Sequence, residues 1–173
     1  MTITPETTRR LNPVLWLGVP AAICVVASVV LALPIRILGL PLPEPVVALV
    51  PAFAWAVIRP SVLPPFVLII LGLFLDLLWG DRPGFWPVCL LCAYAPVLAI
   101  RPILSGQEAW ALWILYGAVA ALALLVGVVL TALRTGAAPA FLGVFWQWLA
   151  TAALFPFAHR LIARYEDADV RFR

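Results

Sequence analysis

The stretch LGLFLDLLWGDRPGFW, Leu71 to Trp86, decides how the chain is read. It is an apolar run with one carboxylate inside it, Asp76, and it ends in Gly80, Asp81, Arg82, Pro83 and Gly84. Asp76 lacks the polar neighbours that would mark a solvated helix face. Burying a carboxylate is costly unless donors surround it, so an acid in this setting has a task.

Composition names the solvent. Of 173 residues, 65% are hydrophobic and 11% charged, where a soluble domain carries roughly a quarter of its residues as Asp, Glu, Lys and Arg. The expected solvent is a bilayer. No polar stretch is long enough to fold by itself, so residues 1–173 are expected to form a single polytopic membrane domain, all-α in class. All 11 basic residues are arginines, which stay charged in any surroundings. The net charge of +3 is attributed to membrane orientation, with no nucleic-acid partner. Cys24, Cys89 and Cys92 lie in apolar runs and suggest no disulfide framework. Cys89 and Cys92 form a C-x-x-C, but with one histidine and no second cysteine pair they fall short of the four ligands of a structural zinc.

Charge-free runs cover Val14 to Leu33, Ala109 to Leu133 and Ala137 to Ala158, each enough for a helix across a hydrocarbon core of about 30 Å. Less tidy apolar segments lie between them. The pattern predicts six spans, over 14–33, 45–58, 61–79, 85–104, 109–133 and 137–163. The second is short and is expected to be a tilted or partly embedded helix, or else a full crossing. With the N-terminus inside, Arg9, Arg10, Arg59, Arg101, Arg160, Arg164, Arg171 and Arg173 fall on the cytoplasmic side. Arg36, Arg82 and Arg134 fall on the other. That asymmetry predicts both termini in the cytoplasm. Trp16, Trp55, Trp110 and Trp113 are then expected at the inner interface, and Trp79 and Trp86 at the outer. The first apolar run is longer than a signal-peptide core and no convincing cleavage site follows it, so it is read as a retained helix.

Catalysis would need a nucleophile with a base, paired carboxylates or a metal cluster gathered in one cavity. No such set is evident, so no enzyme activity and no cofactor are expected. His159 is expected to be interfacial, and Gln147 to bond between helices. Small residues recur at four-residue steps in Cys24, Ser28 and Ala32 and in Ala123, Gly127 and Thr131. Such stripes let helices approach closely, either within the bundle or as the seat of a partner's helix. Helical rise from Ser61 puts Asp76 about 21 to 23 Å along its span, in the outer third. It is expected to accept hydrogen bonds from the turn Gly80 to Gly84, or to pair with Arg36 or Arg82, and so to hold the outer loop in one shape.

Arg59, Pro60, Leu63 and Pro64, then Gly72, Leu73, Asp76, Gly80 and Gly84, then Tyr94, together resemble the MreD family of rod shape-determining membrane proteins. The quoted residues span Arg59 to Tyr94. Pro83 departs from the pattern, which more often has Leu before the second glycine. The resemblance implies a bundle similar to the six-helix substrate-binding subunits of energy-coupling-factor transporters. It also implies a non-catalytic scaffold in the bacterial cytoplasmic (inner) membrane. The partners implied are MreC, with one membrane helix, and through it MreB and the peptidoglycan synthases. A homodimer is left open. The alternative is a vitamin-binding subunit of such a transporter, which a small ligand would stabilise.

Overall fold

The computed structural model describes residues 14–32, 36–37, 40–41, 44–58, 61–104 and 108–170, with 14, 15, 36, 37, 40, 41 and 165–170 described as backbone only. A π-helical turn, Val14–Gly18, runs into helix α1, Val19–Leu31. A two-residue antiparallel ladder follows, Arg36–Ile37 with Leu40–Pro41. Then come α2 (Leu49–Ile58), α3 (Leu63–Trp79), α4 (Phe85–Leu104), α5 (Ala109–Thr135), α6 (Phe141–Ala152) and α7 (Phe155–Val170). Among the described residues the regular structure is all-helical apart from that ladder.

The shortest helix is the centre of the packing. Helix α2 is buried continuously from Leu49 to Ala56, and α4 and α7 pack against it most extensively. A ten-residue helix spans only about 15 Å, and one that is apolar on every face is stable only when enclosed. Phe53 and Trp55 are almost fully buried, and the ring of Phe53 meets Tyr116 of α5 edge-on at 5.3 Å. The entry to helix α2 is held by side chains of two other helices. The Val46 N–H donates to Thr151 Oγ1 of α6 at 3.1 Å, and Cys24 Sγ of α1 donates to the Val47 carbonyl at 3.6 Å. Irregular backbone inside an apolar bundle needs such side-chain partners.

Prolines shape the remaining helices. Pro64 and Pro65 open α3, where a missing N–H leaves no helical bond unmade. Pro20 and Pro156 each withdraw a donor from the carbonyl four residues earlier. Those carbonyls belong to Trp16 and Ala152, and indole groups take them instead: Trp55 Nε1 donates to the Trp16 carbonyl at 3.1 Å, and Trp113 Nε1 to the Ala152 carbonyl at 3.4 Å. The break between α6 and α7 falls where Pro156 would predict a kink.

Many large apolar side chains face outward. Leu77 is 83% exposed, Phe141 82% and Leu133 78%; an exterior of this kind is suited to lipid and not to water. Among the described residues three helical stretches are long and apolar enough to cross a membrane: Phe85–Leu104, Ala109–Thr135 and the kinked path Phe141–Arg164. Trp16–Leu31, Leu49–Ile58 and Leu63–Trp79 are apolar but shorter. Of the tryptophans expected toward the interfaces, Trp16, Trp55 and Trp86 are buried against neighbouring helices, whereas Trp110 and Trp113 are more than half exposed. Indole N–H groups can be satisfied by freed carbonyls in the interior as readily as by water at an interface.

Candidate functional site

The junction between α3 and α4 gathers most of the motif. Gly72 and Asp76 lie four residues apart on α3 and so share a face, the one turned toward α4. A Cβ built on Gly72 would stand 2.5 Å from the backbone nitrogen of Pro87 and 2.7 Å from its Cα. Only glycine permits that approach. One turn later the Asp76 side chain, 2% exposed, reaches past the end of its own helix to the start of the next. Its Oδ2 accepts from the Gly84 N–H at 2.6 Å and its Oδ1 from the Trp86 N–H at 2.8 Å.

Every donor in the first turn of α4 is thereby accounted for. The first N–H groups of a helix have no partner within it. Here Gly84 and Trp86 donate to the carboxylate, Phe85 donates to the Arg82 carbonyl at 3.2 Å, and Pro87 has no N–H to satisfy. The carboxylate also faces the positive end of the α4 dipole, the favourable arrangement for an anion. Asp76 is therefore a helix cap supplied by the preceding helix. Its own carbonyl closes the end of α3, accepting from the N–H groups of Gly80 and Asp81.

Gly80 and Gly84 have φ of 71° and 100°, conformations that other residues rarely adopt. They turn the chain so that both donors face Asp76. Trp86 is then fixed at two points, since its Nε1 donates to Asp81 Oδ2 at 2.9 Å. Its ring packs edge-on against Trp79, with centroids 4.8 Å apart. Of the two expected partners for Asp76, turn backbone or arginine, the structure shows backbone. The first donor belongs to the expected turn. The second, Trp86, lies two residues beyond it.

The other motif residues are distributed. Arg59 and Pro60 lie outside the described residues. Tyr94 is buried in α4 at 3% exposure, with a hydroxyl that has no hydrogen-bond partner among the described residues. In the small-residue stripe of α1, Cys24 and Ser28 are 3% exposed and Ala32 is half-buried. The first two face inward, where Cys24 serves the entry to α2. Cys24 also lines a groove between α1, α2 and α7. In α5, Gly127 packs on the ring of Phe85, and Thr131 donates back to the Gly127 carbonyl. His159 is half-buried and stacked on Phe155, with Nδ1 enclosed and unpartnered among the described residues. The interhelical bond near Gln147 is made by its neighbour: Trp148 Nε1 donates to the Gly117 carbonyl at 2.8 Å.

One constellation was missed by sequence reasoning. Arg101, counted only as a topological charge, donates from Nε to the Val57 carbonyl at 2.8 Å and from Nη2 to the Ile58 carbonyl at 2.9 Å. It caps the C-terminal end of α2, where a cation is favoured. A charge beside Pro102 in an apolar helix carried the same signal as Asp76. Among the described residues no group of three or more His, Cys, Asp or Glu is placed to hold a metal ion.

Over the described residues, the class defined by these features is an all-helical protein with three helices of membrane-crossing length and an acid-capped junction between two apolar helices. Comparison with family models, curated proteins and solved structures finds no match to this chain.

Proposed function

We propose that the protein is a non-catalytic membrane scaffold of the bacterial cell-elongation machinery, of the MreD type. In this reading it binds the single-span protein MreC and, through it, helps organise MreB and the peptidoglycan synthases. The observation that carries the reading is the convergence of Gly72, Asp76, Gly80 and Gly84 at one junction. Four residues that carry the resemblance have one joint task, and that task is to fix a shape. A carboxylate whose oxygens both accept main-chain hydrogen bonds positions a turn.

The same reading places the chain in the cytoplasmic membrane with six passages, a bundle like the energy-coupling-factor subunits, and both termini inside. Two observations support the six passages. Arg101, at the end of α4, caps the end of α2, so the second and fourth passages finish on the same side, as alternating spans require. Helix α2, too short to cross alone, is enclosed by protein, where a short helix with an irregular entry is tolerated.

Affinity purification from native membranes in a mild detergent tests the function. The scaffold reading expects a single-span partner with an extracytoplasmic domain to copurify in near-stoichiometric amount. A chain recovered without such a partner, and stabilised thermally by a vitamin, would be a transporter subunit instead.

A further inference from the structure

We propose that the groove between α1, α2 and α7 seats one anionic phospholipid of the leaflet nearest the C-terminal end of α7. The groove has a volume of about 480 Å³. Its α1 wall runs from Val19 to Leu31, its floor includes Val50 of α2, and Phe157 stands on the α7 side. All of these are apolar. Two cations interrupt the lining, Arg160 and Arg164, both exposed and both on α7. Four residues apart on a helix, they share one face. Neither guanidinium has a hydrogen bond or ion pair among the described residues.

Length and charge select the occupant. Helical rise makes the wall from Val19 to Leu31 about 18 Å long, close to half of a hydrocarbon core of about 30 Å. The groove is therefore about one leaflet deep. An apolar channel of that depth with two cations on its lining fits an acyl chain joined to a phosphate. A basic pocket between membrane helices is an established way of holding an acidic headgroup. The guanidinium fork matches phosphate oxygens in geometry as well as charge. The acids of α7, Glu166, Asp167 and Asp169, come later in the helix than both arginines; Asp167 stands three residues after Arg164, the spacing at which helix residues share a face, whereas no acid stands three or four residues from Arg160. Assignment to the cytoplasmic leaflet rests on the topology proposed above.

Delipidated full-length protein in a nonionic detergent is titrated with dioleoylphosphatidylglycerol or dioleoylphosphatidylcholine, and bound lipid is counted by native mass spectrometry. The expected result is at least about tenfold tighter binding of the anionic lipid, near 1.4 kcal/mol. Arg160→Gln with Arg164→Gln should reduce the anionic lipid to the zwitterionic level. Ile23→Trp, at a 61% exposed position on the wall, should weaken both lipids alike while the melting temperature holds. Equal affinities in the unaltered protein would overturn the proposal, as would a preference that survives the double substitution; both results would leave the arginines for an acidic partner segment. The leaflet is read separately, with C-terminal reporters. Selective binding with an extracytoplasmic reporter signal would keep the groove and move the leaflet.

Discussion

At the scale of the residue, the account turns on two atoms, the carboxylate oxygens of Asp76. Asp76→Ala leaves the Gly84 and Trp86 N–H groups without acceptors in an enclosed site. Leaving buried donors unpaired costs about 1 to 3 kcal/mol. Asp76→Asn keeps one acceptor oxygen and presents an NH₂ to the other donor, so its loss should be smaller. Thermal melts in detergent should rank the unaltered protein above Asn and Asn above Ala. A proton-relay acid would instead show Asn as damaging as Ala, and activity that changes with pH. Gly72→Ala tests the other half of the junction. Its new methyl would meet Pro87 backbone at 2.5 Å, so the two helices must separate, at a cost of about 1 to 3 kcal/mol. A melting temperature unchanged by Gly72→Ala would mean that α3 and α4 are not in this register. Asp76 was legible in the sequence because an acid in an apolar run advertises its need for donors. Trp86 as a donor was not, because a backbone N–H carries no sequence signature.

At the scale of the element, helix ends rather than helix faces carry the specificity. Arg101 closes α2 with two charge-assisted bonds to terminal carbonyls. Arg101→Met should cost about 1.5 to 3 kcal/mol, and Arg101→Lys should recover part of it, since an ammonium lacks the fork that reaches both carbonyls. Comparing the melting temperatures of the two variants checks this; equal losses would show that the fork is unimportant. The pairing of prolines with indoles gives a coupled test. Trp55→Phe removes the donor to the Trp16 carbonyl, and Pro20→Ala would restore a main-chain donor to that oxygen. In a double-mutant cycle the cost of Trp55→Phe should therefore fall in the Pro20→Ala background. Additive losses would separate the two features. Tryptophan in an apolar run has two settings, interface and core, and hydropathy cannot choose between them. The burial of Trp16, Trp55 and Trp86 against neighbouring helices therefore carried no signal in the sequence. The helix positions themselves were largely legible, because proline and glycine mark the breaks. The break before Pro156 was passed over although the proline marks it, because the apolar run continues through it.

At the scale of the whole molecule, the apolar exterior and three membrane-length helices follow from composition. The arrangement around α2 does not, because an all-apolar segment carries no face that points to its neighbours. Reporter fusions that work on one side of the membrane check the orientation: the arginine asymmetry predicts a C-terminal fusion active in the cytoplasm, and activity outside would remove the six-passage arrangement. The scaffold reading links the junction to the partner, because a shape held by Asp76 matters to function only if something binds that shape. The most direct test measures the single-span partner retained per molecule after purification from native membranes, in the unaltered protein, Asp76→Asn and Asp76→Ala, at a temperature where all three remain folded. The account predicts near-stoichiometric partner with the unaltered protein, an intermediate amount with Asn and severalfold less with Ala. Equal partner recovery across the three proteins, or no single-span partner with any of them, would contradict it.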